Sequence, residues 1–214
     1  MARASRDPEE RIRARNMRLI IKAGIEIFAR KGFDGTRIAE IAEASGLPKA
    51  NVYYYFSSKE EIYKAIVTHL IASWDDALKY ISPEREPADA FRLYIKAKLD
   101  YTRKNTAESR LFASEIIQGA RFLKKKDRDH MRQVTDAHVA VVEGWIAAGK
   151  MLPVDPRHLF IMLWASTQFY ADFEPIAADG LKKARLKAED YDTAATTITD
   201  TILKGILPDP AQRS

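Results

Sequence analysis

Residues Arg37–Phe56, RIAEIAEASGLPKANVYYYF, decide how the chain is read. Two helices can cross closely only if the first carries a small residue at the contact, and Ala42 is that residue. Four positions later Gly46 stands where the chain must turn through a backbone region that favours glycine. Six beyond it, Val52 plugs the angle between the helices, while Ile41, Leu47 and Tyr55 complete a small core. The joint spacing of Ala42, Gly46 and Val52 predicts a helix-turn-helix rather than two ordinary amphipathic helices joined at a glycine.

Within it, Pro48 sits where a missing N–H costs nothing, so a short helix is expected over Pro48–Tyr54. Its outward face would carry Lys49, Ala50, Asn51, Tyr53 and Tyr54. Asparagine pairs with an adenine edge in the major groove and alanine touches a thymine methyl. Lys49, Lys59, Thr36, Tyr53 and Tyr54 suit phosphate oxygens, as does Arg37 beside them. Tyr55 reads as a core residue.

Upstream, Met17, Ile20, Ile21, Gly24, Ile25 and Phe28 fall at three- and four-residue spacings, giving a helix from about Ile12 that Gly32 ends. Thr36 is the expected N-cap of the next helix, and Ser57 or Ser58 that of a fourth, running to about Tyr80. The stretch SPEREP at 82–87 breaks the pattern. Helices then follow around 88–104, 108–118, 126–149, 156–173 and 191–205, with Pro153, Pro156, Pro175 and Pro208 marking ends. No run alternates as a strand does, so the expected class is all-α. The expected organisation is a disordered tail at 1–10, a helix-turn-helix DNA-binding domain at 11–60 and a larger helical domain at 61–214.

Thr36–Glu61, TRIAEIAEASGLPKANVYYYFSSKEE, closely resembles the signature of TetR-family regulators. The resemblance implies a three-helix DNA-binding head, a linking fourth helix and a dimerising helical bundle that binds a small molecule. By position it makes Thr36, Lys49, Asn51, Tyr53, Tyr54 and Lys59 DNA contacts. Leu47-Pro48 departs from the usual Val-Ser, and Pro48 removes an N–H that would face a phosphate. Farther on, SRLFASEIIQGARFL (109–123), residues 144–173 and the final ILKGILP resemble the branch of the family that represses pyrimidine utilisation. That likeness implies repression relieved by an effector, with a pyrimidine nucleobase as one candidate and an unrelated hydrophobic or aromatic molecule as the alternative. A helical interaction protein without DNA binding is the rival reading.

Composition agrees with a DNA-facing N-terminal part. Up to Ala65 there are thirteen Lys and Arg against nine Asp and Glu, whereas the remainder holds 22 against 21. A basic solubilising tail would show the same excess. The chain has no cysteine, which removes disulfides and thiolate chemistry and suits a reducing cytoplasm. Its longest apolar stretch, Leu159–Ser166, is far short of the ~20 residues that span a bilayer, so no membrane partner is expected.

For the second half, an apolar pocket with a few convergent polar groups is expected. Trp74, Tyr94, Lys98, Tyr101 and Arg110 are candidates, as are Phe112, Trp164, Gln168, Phe169 and Tyr170. Trp164 and Gln168, four apart, would share a helix face. The indole would stack on a flat ligand while the amide supplies a donor and an acceptor, as a pyrimidine requires. Plain core filling explains Trp164 equally well. Leu159, Leu163, Ile198, Ile202 and Ile206 have spacing that fits either a dimer interface or an internal core. His69, His130, His138 and His158 lack metal-ligand spacing, and no phosphate loop, nucleophile elbow or dinucleotide fingerprint is present. Neither catalysis, a metal nor a cofactor is therefore expected.

Overall fold

Pro8, followed by Glu9 and Glu10 in the first turn, opens α1, Pro8–Gly35. Proline is preorganised for a first turn, and acidic groups favour the positive end of the helix dipole. Residues 8–10, assigned to a tail from their lack of apolar content, are thus helical. The computed structural model describes residues 8–209, and the rest of that expected tail lies outside them. At Gly32 the backbone leaves helical geometry with φ 69°, where a side chain would be strained.

Nine helices follow among the described residues: α2 Ile38–Ser45, α3 Lys49–Tyr55, α4 Lys59–Leu78, α5 Pro87–Lys104, α6 Thr106–Ile117, α7 Lys125–Ala147, α8 Pro156–Asp172, α9 Glu174–Gly180 and α10 Ala188–Ile206. No strand occurs among those residues. The all-α class is as expected. One helix is additional to those expected: Pro175, read only as a stop, falls in the first turn of α9, where proline is tolerated.

The chain divides into two compact units. The first takes the described residues up to Leu70 together with Arg110–Lys124; the second takes Ile71–Ser109 and the described residues from Lys125. This differs from a cut after residue 60, because α4 continues through that point and a later segment returns to the head. The anchor of that return is Phe122, whose ring centroid lies 4.5 Å from Phe33 and 4.9 Å from Tyr63. Phe28 completes the cluster, meeting Tyr63 edge-on at 4.9 Å. Aliphatic Ile20, Ile41, Val52, Ile62 and Ile66 are fully buried in the same unit. Gly24 allows α1 and α4 to approach, since a Cβ there would lie 2.7 Å from Ile66 Cδ1.

In the second unit α5 packs against α8 and α10. Phe91, Ile95 and Leu99 from α5 meet Leu159 and Leu163 from α8 and Ile202 and Ile206 from α10. Those last four residues therefore fill the protomer's own core instead of a dimer interface. On α8 the accessible apolar side chains are Ile161, Met162, Trp164 and Phe169, with Phe173 and Ile176 just beyond.

Candidate DNA-reading and effector sites

The head builds its reading surface from two turns. At the end of α2, Gly46 adopts the left-handed conformation with φ 68°. Leu47 N–H donates to Ala42 carbonyl at 3.2 Å and Gly46 N–H to Glu43 carbonyl at 3.1 Å, which satisfies two carbonyls of the helix's last turn. Pro48 then accepts from Asn51 and Val52 N–H at 2.8 and 3.2 Å and starts α3. Val52 is fully buried, so the opposite face of this two-turn helix must point outward. Lys49, Ala50, Asn51, Tyr53 and Tyr54 are all exposed, Tyr54 at 75%. Lys49 Nζ lies 5.8 Å from the Tyr53 ring centroid. Tyr55 is half-buried and accepts a hydrogen bond from Asn16 Nδ2 at 3.1 Å.

On the flanks, two expected phosphate ligands hold internal contacts and one expected cap is corrected. Thr36 is buried at 2% exposure, and its hydroxyl donates to Gly32 carbonyl at 2.7 Å instead of facing outward. Lys59 Nζ donates to Phe33 carbonyl at 2.6 Å and sits 4.4 Å from the Phe33 ring centroid. Beyond the break in helical geometry at Gly32, the Phe33 carbonyl also accepts from Thr36 N–H at 3.4 Å, so these two side chains fasten the turn between α1 and α2. The N-cap of α2 is Arg37, not Thr36: Glu40 carboxylate accepts from Arg37 N–H at 3.0 Å. Lys31, then that N–H, hold the Glu40 carboxyl below its usual range. The Arg37 side chain remains exposed. At α4, Ser58 hydroxyl accepts from Glu61 N–H at 3.2 Å, which settles the choice of cap between the two serines.

The candidate effector residues do not form one group. Arg110 and Phe112 belong to the first unit, where Phe112 is buried. Tyr94 is a core residue of the second unit, 6.4 Å centroid to centroid from Phe160. Tyr170 is half-buried and its carbonyl accepts from Tyr191 hydroxyl at 3.2 Å. Trp164 and Phe169 are accessible, whereas Gln168 is 4% exposed. Trp164 and Gln168 therefore do not share a buried face, because four residues still turn the helix by about 40°.

Two arrangements in the second unit do bring candidates together. The first is a cavity of about 270 Å³ between α4 and α5, lined by Trp74, Tyr80, Lys98 and Tyr101. Lys98, 4% exposed, places Nζ 4.8 Å from the Trp74 ring centroid. Burial pulls its ammonium down to about 8, against the opposing field of Asp172. Tyr101 hydroxyl donates to Glu108, and burial first and that carboxylate second push the phenol up. The second is a relay in which Gln168 Nε2 donates to Ser109 hydroxyl, which donates to Asp172 at 2.6 Å. Gln168 Oε1 is buried and has no protein partner. Sequence reasoning did not single out Ser109 and Asp172, although Asp172 follows Gln168 by one helical turn, which is a readable signal.

A head with these two turns, a helix presented outward by a buried valine, and a separate helical unit define a helix-turn-helix regulator. The chain belongs to the TetR family of bacterial regulatory proteins: residues 20–66 match that family's N-terminal model, and 67–209 match the YcdC-like protein C-terminal region. It is similar to the HTH-type transcriptional regulator RutR of Escherichia coli K12, 36% identical over 88% of this chain and 89% of that one. The HTH-type transcriptional repressor NicS of Pseudomonas putida KT2440 is 25% identical over 71% and 73%. In fold it matches a solved tetR-family regulatory protein from Rhodococcus RHA1 with a TM-score of 0.72, at 20% identity, over 91% of this chain and 98% of that one. The protein is thus a DNA-binding transcriptional regulator, and none of its described helices is long and apolar enough to cross a membrane.

Proposed function

We infer that the protein is a cytoplasmic homodimeric repressor that α3 seats in successive major grooves of a near-palindromic operator. The carrying observation is the division of α3 into buried Val52 and an outward face of Lys49, Ala50, Asn51, Tyr53 and Tyr54. Two-fold symmetry sets the two α3 helices roughly 34–36 Å apart on one side of the duplex. Asn51 reads a base edge, while Lys49, Arg37, Tyr53 and Tyr54 hold phosphates. A second copy covers the accessible apolar residues Ile161, Met162 and Phe169 of α8, since surfaces of this kind are uncommon on monomers.

The effector is a small planar molecule with adjacent N–H and C=O groups, for which a pyrimidine nucleobase is the leading candidate. Gln168 Oε1, buried without a partner, offers an acceptor to such an N–H. The Lys98–Trp74 contact beside the α4–α5 cavity favours a second reading, an aromatic acid held by stacking and charge. Ligand lowers DNA affinity to the extent that it prefers the released state.

Band-shift assays with DNA upstream of the protein's own gene test the first part. Asn51→Ala should relax specificity at one or two base pairs, by about 1–3 kcal/mol. Parent-like discrimination would remove α3 as the reading element. Thermal unfolding with uracil, thymine and benzoate tests the second part, because a ligand bound to the native state raises the midpoint. A rise with benzoate alone would select the aromatic acid, and no rise with any of the three would reject both effectors.

A further inference from the structure

The segment Arg121–Lys126, RFLKKK, puts four cations into six residues, and every one of them is exposed. None forms an ion pair with another described residue. A charge run of this sort is ordinarily a solvated tail, but its first half is fastened down. Phe122 and Leu123 are buried, at 6% and 9% exposure. Phe122 N–H donates to Glu115 Oε1 at 2.5 Å, and its ring packs on Phe33 and Tyr63. Gly119 and Ala120, with φ 89° and 56°, fold the chain back so that this docking is possible. The alternation is regular: Arg121 outward, two apolar anchors inward, Lys124 outward.

The anchors tie these cations to the reading head itself. Phe33 lies between the Gly32 kink and Arg37, and Tyr63 is in the second turn of α4. Arg121 Cζ lies 5.0 Å from the Phe122 ring centroid, and Lys59 Nζ lies 4.4 Å from the centroid of Phe33, the ring that Phe122 packs on. The first turn of α4 feels both charges. Glu60 is held below its usual range by Lys64 first and then Arg121, and Glu61 by Ser57 first and then Lys124. Lys59, placed by family resemblance on a phosphate, is occupied by Phe33 and Asp34 carbonyls. The head therefore lacks one expected cation near α4 and carries two unpaired ones on a rigid neighbouring segment.

We propose that Arg121 and Lys124 form an accessory phosphate clamp that grips the DNA backbone beside the first turn of α4. The proposal rests on the DNA-binding reading of α3. Duplex DNA presents one negative charge per about 1.7 Å of axis, so a cation fixed to the bound head meets phosphate wherever it faces the duplex. Such contacts hold register and add affinity without carrying base information.

The test is the salt dependence of binding, with the full-length protein and duplex DNA from upstream of its own gene, by fluorescence anisotropy across a potassium chloride series. For Arg121→Ala with Lys124→Ala, the slope of log affinity against log salt should become shallower by about 0.9 for every phosphate that is no longer neutralised. The ratio of specific to non-specific affinity should stay at the parent value. The charge-conserving pair Arg121→Lys with Lys124→Arg should retain the parent slope. Equal thermal midpoints for all three proteins separate weakened DNA binding from impaired folding. An unchanged slope in the alanine pair, with the parent binding DNA normally, overturns the clamp alone. A parent without salt-dependent binding overturns the clamp and the α3 reading together.

Discussion

The two units bury different chemistry. The head closes around hydrocarbon: Phe28, Phe33, Tyr63 and Phe122 form one aromatic cluster, backed by fully buried isoleucine, valine and leucine side chains. Its buried polar side chains, Thr36, Ser45 and Glu115, are each hydrogen-bonded within the protein. The second unit buries Lys98, Gln168, Thr102, Thr167 and Thr199 within its helices, and two of its buried polar atoms, Trp145 Nε1 and Gln168 Oε1, lack a protein partner. Buried polar groups that are incompletely satisfied cost stability, so a fold keeps them at a site with another use. A head that holds register on DNA gains from a fully satisfied interior, whereas the second unit keeps an unpartnered acceptor at Gln168 Oε1.

The largest expected effect tests the head. Phe28→Ala should cost about 3–5 kcal/mol, since it empties the centre of the aromatic cluster. Urea unfolding followed by circular dichroism measures it, and a loss below about 1 kcal/mol would mean the cluster does not hold the unit together.

Next comes Lys98→Met in the second unit. Between pH of about 8 and the ordinary 10.5, the unfolded chain holds the lysine proton and the folded chain has released it. Unfolding then takes up a proton, so stability rises with pH across that window. The rise amounts to something on the order of 3 kcal/mol. The methionine variant should lack this rise and be more stable than the parent at neutral pH. Parallel pH profiles for the two proteins would show that Lys98 is not penalised by its surroundings.

A smaller effect is expected at Gly46. Its φ of 68° strains any side chain, and a Cβ there meets nothing within 4 Å, so Gly46→Ala isolates the backbone cost. That cost is about 1–2 kcal/mol in the unfolding free energy. A neutral result would mean the turn relaxes.

The smallest change in stability, and the sharpest contrast with Phe28, is expected for Gln168→Leu. It removes a donor to Ser109 but also an unpaired buried acceptor. These opposing contributions should leave stability within about 1 kcal/mol of the parent. Any midpoint rise caused by uracil should vanish. A destabilisation above about 2 kcal/mol would make Gln168 a structural strut instead of a ligand group.

The helix-turn-helix was legible because its determinants lie within twenty residues and act through local geometry. A small residue, a left-handed glycine and a plug at set spacing permit few other conformations, and the 3.6-residue period assigns Val52 inward and Asn51 outward. The second-unit helices were legible for the same reason, apart from α9, whose proline reads as a stop and a start alike.

Tertiary structure alone decided how side chains far apart in sequence are shared. Thr36 and Lys59 have the chemistry of phosphate ligands, yet the Gly32 and Phe33 carbonyls claim them. Leu159 and Ile202 have the spacing of an interface, yet α5 covers them. Gln168 and Asp172 stand one turn apart on α8, but no local pattern links them to Ser109 of α6 or Lys98 of α5. Periodicity encodes which face of a helix is apolar; which neighbour covers that face, and which donor reaches which acceptor, depends on long-range packing that spacing does not carry.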